Sequence, residues 1–290
     1  MRKIIVIFIT LFCLGPTSGF SAQLTIFGED LNTNQAGVAP QYFNPEFYRI
    51  PSTEHPNADN KRDEFLSHLF DVGTEDFEDL AATTVPSSPA QTPPLTVTFK
   101  TPAQVEYAKA TLGDSGFVAT PQVFAPSTNP PTPTTDLAGR YPISGNNFWY
   151  SGINFSILFS DPVAAFGFYG VDIGDFTGGL DLEFIPADSS VQPTTYTVPF
   201  TPDNEGGSVA YVGFIDDTNP FIGVNFVYTD PLGVGAGADI FGFDDFTIGT
   251  LQQLVDPPES PVPEPATLFL LGPAAIALVG FRRKSKRSPK

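Results

Sequence analysis

The sequence predicts an all-β domain, a two-sheet jelly-roll-like sandwich with one short N-terminal helix, flanked by a hydrophobic helix at each chain end. Three observations predict this. From Leu95 onward apolar residues recur with period two, the spacing of strands that bury one face. The composition, 28 Phe, 9 Tyr and 30 Pro against one Met and one Trp, is rich in aromatic and turn residues and poor in helix formers. The two longest apolar runs, Ile4 to Leu14 and Ala266 to Phe281, lie near the two ends, so they bracket the periodic body.

At the start, Arg2-Lys3, the apolar run Ile4 to Leu14 and the break at Gly15-Pro16 have the order of a secretory signal peptide. Gly19 and Ser21 are the small residues signal peptidase requires, which places the signal at residues 1–21 and implies export through the Sec translocon. The sole cysteine, Cys13, lies inside that segment, so the mature chain has no disulfide, thiolate ligand or cysteine nucleophile. Residues 22–60 are polar and rich in Pro and Asn, and read as an irregular lead-in.

A β-sandwich domain over 61–250 follows. Its helix is expected across Lys61 to Phe70, where Phe65, Leu66, Leu69 and Phe70 share one face, with Gly73 as the stop. The sheet is expected to begin near Asp76 to Leu80, after which Val85 to Pro94 is a loop. Leu95–Phe99, Ile153–Phe159, Leu180–Phe184 and Thr195–Val198 alternate as half-buried strands. Val163–Val171, Ser208–Ile215, Phe221–Tyr228 and Ile240–Gly249 read as more deeply buried ones. Pro126 to Pro133 is an extended insert, and residues 251–261 form a stiff Pro-rich spacer.

Charge narrows the partners. Outside the two terminal segments there are six cations, Arg49, Lys61, Arg62, Lys100, Lys109 and Arg140, against 31 carboxylates, a net charge near −25. Such acidity excludes nucleic acid and anionic surfaces as partners and favours solubility and cation binding. Asp172, Asp175, Asp216, Asp217, Asp244 and Asp245 lie at strand ends and are the candidate ligands for calcium, which takes six to eight oxygens from carboxylates and loop carbonyls. No EF-hand spacing is present, and aspartate is equally a turn residue that caps its own backbone. Both readings stand at this level, and no other cofactor is expected.

No catalytic set emerges. Gly113-Asp114-Ser115-Gly116 matches the surroundings of a serine nucleophile, but the only histidines, His55 and His68, lie in an irregular stretch and on the expected helix. Gly233 to Gly237 lacks the following helix and Lys of a phosphate cradle. Phe148-Trp149-Tyr150 and Tyr169 are candidates for stacking on sugar rings, against the competing reading of core aromatics.

Residues 262–290 remain. Val262-Pro263-Glu264-Pro265 cannot continue a helix and stays extended. The 16 uncharged residues Ala266 to Phe281 form a short transmembrane helix, and Arg282, Arg283, Lys284, Lys286 and Arg287 form a basic stop-transfer cluster. This order resembles the PEP-CTERM sorting signal of diderm bacteria. The resemblance implies cleavage near Pro263, Glu264 and Pro265 by an exosortase-type membrane protease. Gly139-Arg140-Tyr141-Pro142, Phe166-Gly167-Phe168-Tyr169 and Phe241-Gly242-Phe243-Asp244-Asp245 likewise resemble body motifs of a group of exported PEP-CTERM proteins, a resemblance that supplies no activity.

The expectation is a non-enzymatic exported protein. It is held transiently in the inner membrane and then displayed at the cell surface or in the extracellular matrix, with a structural or adhesive role. The alternatives are an extracellular polysaccharide-binding module or, third, a secreted hydrolase.

Overall fold

The computed structural model describes residues 23–31, 35–36, 49–50, 54–82, 93–120, 140–174, 179–201, 207–229 and 240–255. Both terminal hydrophobic segments lie outside these residues. Among the described residues no helix is long and apolar enough to cross a membrane.

In chain order the elements are β1 (Gln23–Asp30), β2 (Gln35–Ala36), β3 (Arg49–Ile50), α1 (Pro56–Ser67), β4 (Gly73–Glu75), β5 (Leu95–Lys100), β6 (Glu106–Gly113) and β7 (Phe117–Ala119). They continue as β8 (Phe148–Ser151), β9 (Phe155–Val163), β10 (Ala165–Val171), β11 (Gly179–Pro186), β12 (Thr194–Thr197), β13 (Val209–Asp216), β14 (Phe221–Thr229) and β15 (Phe241–Gly249), closed by a 3-10 turn at Leu251–Gln253.

The fold is mostly β with one α-helix, but the expected pair of separate sheets is one antiparallel sheet of 13 strands curled on itself. Its order is β1-β13-β10-β15-β4-β5-β6-β9-β14-β11-β12, with β8 pairing β15 beyond the end of β4 and β7 pairing β8. A single residue pair, Thr74 with Lys100, carries the ladder around the corner between β4 and β5. The curl makes the two limbs face each other like the layers of a sandwich. Phe184 stacks on Phe214 at 3.8 Å, and Phe168 and Phe243 meet Phe226 and Phe155 at 5.3 Å, all between strands that are not neighbours in the sheet. Offset and edge-to-face contacts of this kind add to the area each ring buries.

The two free edges also meet. Gln23 of β1 donates to the Thr194 hydroxyl of β12 at 3.2 Å, and the Thr201 hydroxyl donates to Glu29 of β1 at 2.8 Å. Side chains thereby close a seam that no backbone ladder spans, which keeps both edges from templating another chain.

The outer face of the first limb is covered by α1. Phe65 lies over β13 and β10, and a Cβ at Gly213 would stand 2.6 Å from its ring, so the helix seats only because that residue is glycine. Ile26, Leu69, Tyr169, Tyr211 and Ile215 complete this smaller core.

Several elements correct the sequence reading. The lead-in over 22–60 contains β1, whose eight residues pair with β13 in continuous register. The helix begins at Pro56 rather than Lys61, because the Asp30 carboxylate accepts the N–H groups of Asn57 (3.2 Å) and Ala58 (2.8 Å) and so caps it from β1. It ends at Ser67, and Gly73 opens β4 instead of stopping the helix. Residues 76–80 are a turn, with Phe77 in the left-handed region at φ 60°. The spacer's first residues are docked: Gln253 O accepts from Phe70 N at 3.0 Å, and Val255 N donates to His68 O at 2.8 Å.

Candidate functional site

Among the described residues the expected calcium ligands do not converge. Asp172 follows β10 and Asp216 ends β13, and in the antiparallel register Val171 pairs with Val209 whereas Ala165 pairs with Ile215. They therefore sit at opposite ends of one strand pair, eight residues or roughly 27 Å apart. Asp244 and Asp245 are in the interior of β15, opposite Tyr169. Asp175 lies outside the described residues. Among the described residues no group of three or more His, Cys, Asp or Glu is placed to hold a metal ion.

The described carboxylates among them have local work instead. Asp216 Oδ1 accepts from Thr218 N (3.0 Å) and Asn219 N (2.7 Å), closing the turn into β14, while Asp217 accepts from the Thr218 hydroxyl. Asp172 is fully buried and pairs with Arg140, Nε to Oδ2 at 2.8 Å, while its other oxygen accepts Gly207 N. Arg140 also donates to Ile240 O, so one ion pair ties four separate chain segments together.

Asp244 and Asp245 sit at a β-bulge, where β15 places an extra residue opposite β10 and Asp245 takes φ 49°. Asp244 Oδ2 accepts Ile143 N at 2.7 Å and Ser144 N at 3.0 Å, and the Ser144 hydroxyl donates to Asp245 at 2.7 Å. Burial first, and then Asp245 beside it, push the Asp244 carboxyl well above the usual range; burial also raises Asp245. On the same face Tyr169 donates its hydroxyl to Asp59 at 2.6 Å, and Asp59 lies 2.8 Å from His55 Nδ1. Desolvation, followed by the Asp59 hydrogen bond, raises the Tyr169 phenol, so it stays a neutral donor. These groups fasten the start of α1 to the sheet.

A cleft of about 250 Å³ opens at the corner where one residue pair joins β4 to β5. Its lining includes Arg62 and Leu66 of α1 together with Glu75, Asp79, Thr98 and Lys100. Lys100 is ion-paired with Asp79. Glu75 is buried and accepts Phe77 N and Thr98 N, each at 2.8 Å, so it bridges the weakest joint of the sheet. Burial outweighs those two hydrogen bonds and raises its pKa to about 7. Sequence reading missed this site, although Arg62 and Lys100 are two of the six cations in the body and their scarcity marked them.

The remaining candidates resolve into structure. Phe148, Trp149, Tyr150 and Tyr169 are all buried, so none presents a ring to a sugar. Ser115 donates to Asn154 O at 2.8 Å in the turn between β6 and β7, while the His55 ring bonds Asp59 on α1.

Pro263, Glu264 and Pro265 and the basic cluster Arg282, Arg283, Lys284, Lys286 and Arg287 lie outside the described residues, and here comparison with known proteins is informative. Residues 261–284 match the model of the PEP-CTERM protein-sorting motif. The chain is thus an exported surface protein whose precursor is membrane-anchored and processed by exosortase, itself a membrane protein. No curated protein matches the chain. Among solved structures it is similar to an apo-form cyclase from Fischerella sp., with 13% identity and TM-score 0.30 over 61% of this chain and 96% of that one. It is also similar to TmCBM61 in complex with beta-1,4-galactotriose, with 15% identity and TM-score 0.21 over 49% and 88%.

Proposed function

We propose that this chain is a non-enzymatic structural or adhesive component of the cell surface or extracellular matrix. The Sec translocon and signal peptidase deliver it, the inner membrane holds it transiently, and exosortase releases it. The observation that carries this reading is the sorting motif at 261–284. The body supports it, because its buried Asp172, Asp244 and Glu75 are satisfied by backbone N–H groups or by Arg140 rather than aimed at a shared reacting point. Buried aromatics in the described residues weigh against the polysaccharide-binding alternative, since stacking sites expose their rings.

The test is to follow the protein in its host with and without exosortase. Mass spectrometry of the surface-exposed form should find an N-terminus near Ala22 and loss of everything beyond Pro263 to Pro265. Deleting the gene should weaken cell aggregation or matrix cohesion without loss of a hydrolytic activity. An intact basic tail on surface protein, or unchanged cohesion, would overturn the reading.

A further inference from the structure

The two routes by which the domain connects to hydrophobic segments leave it at one end. Gln23, the first residue of β1, pairs with Asp216, and Ala165 pairs with both Ile215 and Gly249, the last residue of β15. The starts of the N-terminal and C-terminal connections are separated by three strand spacings, about 14 Å. Beyond Gly249 the chain does not turn back along the sheet. Leu254 bridges Leu69, and Val255 N donates to His68 O at the C-terminal end of α1, which is the same end. From Val255 only seven residues, 256–262, precede Pro263, a reach of at most about 24 Å.

We propose that the precursor stands on the membrane with the Gln23, Asp216–Asn219 and Val255 end toward the bilayer. The opposite end, where Arg140 pairs with Asp172, faces outward. This rests on the sorting reading, which supplies the anchor, and adds an orientation to it. A domain whose two exits lay at opposite ends would have to lie on its side or leave one end of the sheet unpaired. Here the whole sheet can form both before the signal peptide is removed and afterwards, when the C-terminal anchor alone holds the chain. On the bilayer side Asp161 near the end of β9, and Asp188 and Asp217 in the turns after β11 and β13, are at least partly exposed, while Glu106 is paired with Lys109. Their repulsion from anionic headgroups holds the domain at the length of its spacer and leaves the Pro-Glu-Pro segment open to the protease.

The mature chain has no cysteine, so single probes are unambiguous. The full chain is produced in a host lacking exosortase, carrying either Thr218→Cys in the exposed turn after β13 or Asn57→Cys on the exposed start of α1. Asn57 is bonded to Asp30 at the far end of β1, roughly 23 Å along the strands from Asp216. Each variant is labelled with a fluorophore, checked for protease resistance, and placed in vesicles containing nitroxide-headgroup lipid. Strong quenching at position 218 with little at 57 is expected, and neutralising Asp161 and Asp188 to Asn should increase it. Equal quenching, or quenching greater at 57, in protein that resists carbonate extraction overturns the orientation alone. Failure to remain with the membrane overturns the sorting reading and this proposal together.

Discussion

Removing Arg140 tests the central tie of the fold. Its side chain is 3% exposed and that of Asp172 is 0%, with Nε 2.8 Å from Oδ2. Arg140→Met keeps much of the stem's volume but leaves the Asp172 carboxylate buried with Gly207 N as its remaining described donor. Breaking a buried pair from one side costs about 3–5 kcal/mol, because the surviving charge has lost its compensation. At roughly 2–4 °C per kcal/mol for a domain of this size, the melting temperature should fall by about 6–20 °C. Adding Asp172→Leu removes the stranded charge. The double variant should then recover part of the loss, although Gly207 N forfeits an acceptor at about 1–3 kcal/mol. Denaturant unfolding of residues 22–255 as wild type, two single variants and the double variant closes the cycle. A loss below about 1 kcal/mol in Arg140→Met, or a double variant as unstable as the sum of the singles, would refute the claim that this pair holds the four segments together.

Three further outcomes are expected. Phe168→Ala and Phe243→Ala, each fully buried with ring centroids 5.6 Å apart, should each cost about 3–5 kcal/mol and combine less than additively; calorimetry showing no loss at either would misplace the inner face. Glu75 binds its proton more tightly folded than unfolded, so its contribution is full below pH 4.5, declines as pH rises, and levels off above about 7. The stability difference between wild type and Glu75→Gln should accordingly change by about 3 kcal/mol over that window in urea titrations, and a constant difference would mean the carboxyl titrates normally. Because Asp172 and Asp216 are at opposite ends of their strand pair, millimolar calcium should leave the melting temperature where chelator leaves it; a rise of several degrees would restore the calcium expectation.

Legibility in the sequence followed how local the determinants are. Leu95–Phe99 alternates because one face of β5 is inside the curl, and the uninterrupted runs of β10 and β13 are buried on both faces, by the opposite limb and by α1. β1 carries no strand pattern because Gln23 to Asp30 is largely polar and only Ile26 and Asp30 are buried; its pairing depends on β13, far along the chain. The start of α1 was misplaced for the same reason, since its cap comes from Asp30. The separation of the two limbs into distinct sheets was also beyond pattern reading, because one residue pair decides whether the ladder continues.

The candidate site failed differently. The acids number 31 between the terminal segments and so are a poor guide to which few are coupled. The cations are the informative minority. Lys61, Lys100 and Lys109 each reach a nearby exposed or partly exposed acid, at Glu64, Asp79 and Glu106, pairs that solvent screens to roughly 0–1 kcal/mol. Arg140 alone among the described pairs with Lys or Arg has both charges removed from water. In a body this acidic, placing a guanidinium in the interior is tolerable only where one carboxylate is fixed to meet it. The buried arginine therefore identifies Asp172 as structural, a role that its position after a strand could not distinguish from that of any other turn aspartate.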